Sequence, residues 1–378
     1  MDIFAGAFVQ PVRNPVIDLL RFFALLALLM SSAPATLAAS LAEKAGQMVV
    51  VGFEGNSPSA KGVVAVTDQL AQGTIGGVMF LKKNVASLSA VAELNAGFRA
   101  AAPDGKPFIT LDQEGGSVER LTKDVGFKEI PNAAKIAATA SLEEAEAIYA
   151  EMARGIADAG FSVNFGPVAD LNTNRQNQII AKFGRSYSAN PEMVAAYDGA
   201  FIRAHHAAGV VTALKHYPGH GSSTADSHEG YVDITKTWAE EELEPYRIMQ
   251  ASGLIDMVMV GHLYHAHYSD AGDKTPSSLS KQWIEGVLRT DIGYDGVVIT
   301  DDLEMGAIRD HYTLEQTITG AVRAGVDVLL FSNTAKYRPE LGIEIRDILV
   351  SEAETDPEFA KRIDQSYQRI LALKSRIR

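Results

Sequence analysis

From residue 40 onward, short apolar runs rich in β-formers alternate with longer stretches of helical spacing. The strand-like runs fall at Met48–Phe53, Gly77–Leu81, Pro107–Leu111, Ser162–Val168, Val210–Leu214, Met257–Val260, Gly296–Thr300 and Val326–Phe331. Between them, Leu142–Gly160, Pro191–Gly209, Trp238–Gly253 and Leu314–Gly325 read as helices, each closed by the glycine that commonly ends one. Strands alternating with helices imply parallel pairing through right-handed crossovers, and eight such units close a barrel. The fold class expected is therefore α/β, a (β/α)8 TIM-type barrel. A doubly wound open sheet is the competing arrangement, but it usually has fewer strands and a glycine-rich nucleotide turn, and no GxGxxG follows the first run here. Phe359–Arg378 reads as a closing amphipathic helix with no Pro/Gly/Ser-rich linker after it, so residues 40–378 are expected to form one domain.

The first 39 residues have a different pattern. Arg13 and Arg21 precede an apolar stretch, Phe22–Met30, and small residues follow to Ala39. This is the layout of a secretory signal peptide, with cleavage expected after Ala35 or Ala39. The apolar core is short against the ~20 residues of a membrane span. The expectation is a periplasmic or secreted protein with no stable membrane association after cleavage. An uncleaved anchor is the other reading, and a misassigned start codon would leave the protein in the cytoplasm.

Composition narrows the function. Over 378 residues, 47% are hydrophobic and 21% charged, which is ordinary for a chain with a sizeable core. A net charge of −13 without a run of lysines or arginines argues against a nucleic-acid partner and makes a neutral substrate easier to accommodate. The chain has no cysteine, which excludes disulfides, thiolate zinc sites and a thiol nucleophile.

In a barrel of this kind, sites form at the C-terminal ends of the strands. The polar residues there are Asp112 after the third run, Lys215 and His216 after the fifth, His262 after the sixth, and Asp301 and Asp302 after the seventh. Any one of them could simply mark where a strand meets solvent; convergence from several units is harder to set aside. The stretch Lys215-His216-Tyr217-Pro218-Gly219-His220-Gly221 and onward to Asp226-Ser227-His228 is too glycine-rich for a helix and is expected to be a loop over the barrel mouth.

This loop resembles the β-N-acetylglucosaminidases of glycoside hydrolase family 3, whose fingerprint is KH(F/Y)PGHG followed by DSH. The resemblance includes Leu111-Asp112-Gln113-Glu114-Gly115-Gly116, Gly184-Arg185-Ser186-Tyr187 and Ile299-Thr300-Asp301-Asp302-Leu303-Glu304-Met305, four motifs in the family's order over nearly all of the chain after the signal. It implies a retaining exo-β-N-acetylglucosaminidase acting on murein fragments or chitin-type oligosaccharides. Asp301 would be the nucleophile, with Asp302 pointing away if strand alternation persists. His228, paired with Asp226, would transfer the proton, from a loop not fully positioned until substrate binds. Asp112, Arg120, Arg185, Lys215 and His216 would bind the sugar, and His220 would brace the loop. The family usually has arginine after DQEGG, where this chain has Ser117, and the segment Asn172–Lys182 looks longer than the pattern.

His216, His220 and His228 lie close together in sequence, but no HExxH or compact helical ligand set accompanies them, so no metal or other cofactor is expected. A phosphorylase remains a competing enzyme, because a histidine acid/base would not repel an anionic attacker. A non-catalytic sugar-binding barrel is the alternative from another class, and it would predict damage to Asp301, Asp226 or His228, all of which are present.

Overall fold

The computed structural model describes residues 39–269 and 274–377; the signal segment expected over residues 1–39 lies outside the described residues except for Ala39. Leu41–Arg378 forms one compact unit. Its main sheet contains β1 (Val49–Gly52), β2 (Gly77–Met79), β3 (Phe108–Leu111), β4 (Val163–Asn164), β5 (Val211–Tyr217), β7 (Met257–Val260), β9 (Val297–Thr300) and β10 (Leu329–Phe331), in the order β10-β1-β2-β3-β4-β5-β7-β9. Every neighbouring pair is parallel, for example Val51 against Phe331 and Met259 against Ile299. A parallel bridge between Ile299 and Val328 joins the two ends of the sheet. The fold is the eight-stranded (β/α) barrel.

The strands are mostly shorter than the apolar runs, for local reasons. Ser162–Val168 pairs as a strand only over Val163–Asn164, because the Gly166 N–H turns back onto the Asn164 carbonyl at 3.0 Å and Pro167 has no N–H to offer. Pairing resumes at Val168, which bridges to Lys215. In contrast, β5 runs past Leu214 to Tyr217, so Lys215 and His216 lie in a strand and the expected loop begins only after Tyr217. The reason is a partner on each side: Lys215 N–H donates to Pro167 C=O at 3.0 Å, and Gly261 N–H donates to Tyr217 C=O at 2.9 Å. A second, small parallel sheet, β6 (Val232–Asp233) with β8 (Leu263–Tyr264), lies outside the barrel order.

Helix ends follow their capping residues. Leu142–Asp158 begins with a capping box from Ser141 and Glu144. Pro191–Ala208 opens on Asn190 and a first-turn proline and stops at Gly209 in the left-handed conformation. The helix expected from Trp238 starts later, at Glu244, after a 3-10 turn over Glu240–Leu243. The C-terminal helix runs Pro357–Lys374, capped by Asp356, and is preceded by Leu341–Thr355, which the apolar pattern had not singled out. It is tied to the barrel by a buried charge cluster in which Asp327 receives Arg289 and Arg362, each at 2.7 Å.

Candidate active site

The C-terminal ends of the strands carry a connected chain of buried charges. Asp112, the first residue after β3, receives Lys215 Nζ on Oδ1 at 2.7 Å and Arg120 Nη2 on Oδ2 at 2.8 Å. Lys215 Nζ is also 2.7 Å from Glu114 Oε1. Glu114 in turn holds Arg185 through both oxygens, at 2.7 and 2.8 Å. Burial alone would raise the Asp112 and Glu114 carboxyls, but Lys215 with Arg120 on one and Arg185 with Lys215 on the other hold both below their ordinary values. Lys215 is raised for the reciprocal reason, its burial being outweighed by the two carboxylates. These groups are charged and paired, which is what a buried ionic network requires.

The chain continues through His216. Its Nε2 lies 3.3 Å from Arg185 Nη2, and its Nδ1 lies 2.7 Å from Asp170 Oδ2. The other Asp170 oxygen accepts the backbone N–H groups of His216 at 3.2 Å and His220 at 2.7 Å. One buried carboxylate thus fixes both the His216 ring and the start of the loop.

Asp301 follows β9 directly, and its Oδ1 accepts the Asp302 N–H at 2.8 Å. Burial would raise its carboxyl, yet His216, His262, His228 and that N–H together lower it to about 2. Asp302, expected to point away, lines the same cavity as Asp301, and its Oδ1 accepts N–H groups from Glu304 at 3.0 Å and Ser332 at 2.9 Å, joining the end of β9 to the residue after β10. Burial dominates there and pushes its carboxyl up to about 6. Beneath both, His262 is buried with Nε2 at 2.9 Å from the Asp302 carbonyl and Nδ1 at 2.8 Å from Ser278 Oγ. A carbonyl only accepts, so Nε2 carries the hydrogen and Nδ1 accepts from the serine hydroxyl.

The loop from Pro218 to His228 is held at close quarters. A Cβ on Gly219, whose φ is +119°, would stand 2.5 Å from Glu242 Oε2, and one on Gly221 would stand 1.7 Å from the Leu171 carbonyl oxygen. Only glycine fits either place. Glu242 accepts the N–H groups of Gly221 at 3.1 Å and Ser222 at 3.2 Å, and burial pushes its carboxyl up to about 8. Asn177 donates to the carbonyls of His220 at 2.9 Å and Ser223 at 3.1 Å. His220 is buried between Ser223 Oγ at 2.6 Å and Ser227 Oγ at 3.2 Å, and burial lowers it to about 4.

At the far end of the loop, Asp226 Oδ1 accepts both the backbone N–H and the Nδ1–H of His228, each at 2.8 Å. The backbone there is pinned to the turn after Asp301, because Ala307 N–H donates to the Ser227 carbonyl at 3.2 Å. The His228 side chain is nonetheless 64% exposed.

Asp112, Arg120, Arg185, Lys215, His216, His228 and Asp301 all line one cavity of about 340 Å³. Asp226 and the strand-end candidate His262 do not line it; Asp226 is held against His228 and lines a separate cleft. Ser117 also lines the inner cavity, so the position that the family pattern gives to arginine lies at the site itself. Asp170, Glu114 and Glu242 were missed as site residues. Asp170 was within reach of the strand-end rule, since it lies two residues past the run Ser162–Val168. Glu114 stood inside a quoted motif without a role. Glu242 had no signal, because it lies on a 3-10 turn after the loop it grips.

Residues 40–373 match the family model described as the glycosyl hydrolase family 3 N terminal domain. The chain is 32% identical over 292 residues to a β-hexosaminidase of Stenotrophomonas maltophilia (strain R551-3), which covers 75% of this chain and 82% of that one. It is 35% identical over 293 residues to a β-hexosaminidase of Xylella fastidiosa (strain M23), with the same coverage of 75% and 82%. Among solved structures, it is similar to a family 3 β-N-acetylglucosaminidase from Paenibacillus sp. FPU-7, with a TM-score of 0.80 and 34% identity over 90% of this chain, although it spans only 63% of that protein's length. It is also similar to a β-N-acetylhexosaminidase from Beutenbergia cavernae DSM 12333, with a TM-score of 0.81 and 27% identity over 89% of this chain and 99% of that one.

Proposed function

This chain belongs to glycosyl hydrolase family 3, and we propose that it is a retaining exo-β-N-acetylglucosaminidase that releases terminal N-acetylglucosamine from murein fragments or chitin-type oligosaccharides. The observation that carries this reading is that Asp301, a carboxylate, and His228, a proton carrier, line one cavity. In the first step an Asp301 oxygen bonds to the anomeric carbon as the glycosidic C–O bond breaks, and protonated His228 gives its proton to the departing oxygen. In the second, neutral His228 takes a proton from water, the water oxygen bonds to that carbon, and Asp301 leaves as a carboxylate. Asp226 keeps the His228 ring oriented and stabilises it while it is charged.

Substrate binding follows from the ionic chain. Asp112 accepts hydrogen bonds from ring hydroxyls, while Arg120, Arg185, Lys215 and His216 hold it in place and present donors of their own. A cavity of about 340 Å³ is at the small end for ligand sites, which suits one sugar and hence exo action. The signal-like pattern of Arg13, Arg21 and Phe22–Met30 supports action outside the cytoplasm.

The test is an assay on an aryl β-N-acetylglucosaminide, with parent and Asp301→Ala, with and without phosphate. Release of N-acetylglucosamine by the parent alone supports the hydrolase. Formation of the sugar 1-phosphate would replace it with a phosphorylase, and binding without turnover would replace it with a sugar-binding barrel.

A further inference from the structure

Three consecutive backbone N–H groups at the root of the loop from Pro218 to His228 end on carboxyl groups of two other segments. His220 N–H donates to Asp170 Oδ1 at 2.7 Å, Gly221 N–H to Glu242 Oε2 at 3.1 Å and Ser222 N–H to Glu242 Oε1 at 3.2 Å. Buried N–H groups outside a ladder must find acceptors, and here side chains supply them. Glu242 comes from the 3-10 turn Glu240–Leu243, is buried and does not line the inner cavity. Its segment reaches the loop twice more: Trp238 Nε1–H donates to the Pro218 carbonyl at 3.0 Å, and a Cβ on Gly219 would collide with Glu242 Oε2. The rest of the loop is tied to this root through the His220 ring, whose Nδ1 lies 2.6 Å from Ser223 Oγ and Nε2 3.2 Å from Ser227 Oγ. Ser227 directly precedes His228. The largely exposed His228 side chain is hydrogen-bonded to Asp226 of the same loop, so where its Nε2 stands depends on where the loop stands.

We propose that Glu242 is a positioning residue for proton transfer: by fixing Gly221 and Ser222 it sets the His220 ring, through that ring Ser227, and so the place of His228 against the glycosidic oxygen. The inference rests on the acid/base role given to His228 above. At the far end of the loop, Gly306 and Ala307 N–H groups hold the His228 and Ser227 carbonyls at 3.3 and 3.2 Å. A segment held at one end can still pivot, and the root supplies the second hold. Asp170 shares that root but also fixes the His216 ring, so its removal would disturb sugar binding too. The Glu242 side chain bonds to the loop alone, which makes its loss the one that isolates the effect. Displacing a proton donor by about 1 Å is enough to cost about 10²-fold in rate.

The experiment measures kcat/KM for the parent, Glu242→Gln and Glu242→Leu, each with and without His228→Ala, on N-acetylglucosaminyl fluoride and on the disaccharide of two N-acetylglucosamines. Burial pushes the Glu242 carboxyl up to about 8, so near neutrality Gln removes one acceptor oxygen without removing a charge, and Leu removes both. Fluoride departs without a proton, whereas the sugar leaving group needs one. Glu242→Leu should lower kcat/KM on the disaccharide about 10²-fold and Glu242→Gln about tenfold, with the loss on the fluoride at least about tenfold smaller for Leu and near none for Gln. Beside His228→Ala, either substitution should add less than about threefold, because the group it positions is gone. Equal losses on the two substrates, losses that multiply with His228→Ala, or no loss on the disaccharide would each overturn the proposal. Should Glu242→Leu fail to fold, Glu242→Gln decides by the same comparisons. A parent that leaves the fluoride intact would overturn the hydrolase reading and this inference together, whereas an active parent with equal losses overturns the role of Glu242 alone.

Discussion

A single oxygen of Asp226 accepts both the backbone N–H and the ring Nδ1–H of His228, so the ring is tethered to a carboxylate only two residues away while its other nitrogen stays open. This fixes which nitrogen can exchange a proton with substrate, namely Nε2.

Removing either member should therefore act on leaving groups that need protonation. His228→Ala is expected to lower kcat about 10²- to 10⁴-fold on disaccharides and much less on aryl glycosides with good leaving groups. Asp226→Asn should show the same ordering at smaller size. Steady-state kinetics across aryl leaving groups of graded acidity provides the measurement, and a uniform loss would count against acid/base roles.

Asp301 is held at about 2, so it stays ionised from about pH 4 upward and should not define the acid limb of activity. Pre-steady-state release of an aryl alcohol, which reports attack by Asp301, should persist at pH 4.5. An acid limb that moves in Asp302→Asn, where the neighbouring carboxyl at about 6 is removed, would assign that limb to the neighbour instead.

Asp170 accepts three hydrogen bonds from His216 and His220 with no exposed surface. Asp170→Asn exchanges one of the two buried acceptor oxygens for an amide NH2, so part of this hydrogen-bond set loses its acceptor, at a cost of about 1–3 kcal/mol of folding stability. Chemical denaturation would measure this, and KM for the sugar should rise with it because His216 loses its fixed orientation.

Glu242 is raised to about 8 by burial from an ordinary 4.5, so its contribution to stability is full below about 4.5 and is lost as pH rises through 8. The parent should thus lose thermal stability relative to Glu242→Gln over that window, read as Tm against pH. Parallel curves for the two proteins would rule out the carboxyl as the source.

Gly221→Ala would place a methyl group 1.7 Å from the Leu171 carbonyl oxygen, a backbone atom with little room to give. Displacement of the loop should destabilise the protein by about 2–3 kcal/mol. Activity should fall further than stability alone requires, because His228 is carried on the same loop. Circular dichroism melting beside the aryl glycoside assay separates the two effects.

The sequence by itself determined the order of strands and helices, because a strand buried on both faces reads as a continuous apolar run and helix ends carry their own caps and glycines. It also singled out Asp112, Lys215, His216, His228 and Asp301, since each follows a strand or sits in a motif. The tertiary structure alone decided what those residues touch. Asp112 and Lys215 meet across 103 positions, and Asp170 reaches His216 across 46, pairings that exist only once the barrel gathers its strand ends at one mouth. The same holds for strand length: the run beginning at Ser162 looked long and β5 looked short, because apolar character marks burial whereas a ladder needs an N–H and a carbonyl on the next strand. Glu242 and Phe183 were illegible for the opposite reasons. One is a charged residue buried by a loop that folds over it, and the other is an apolar residue left in solvent by the turn that carries it; burial of both kinds is settled by packing rather than by residue type.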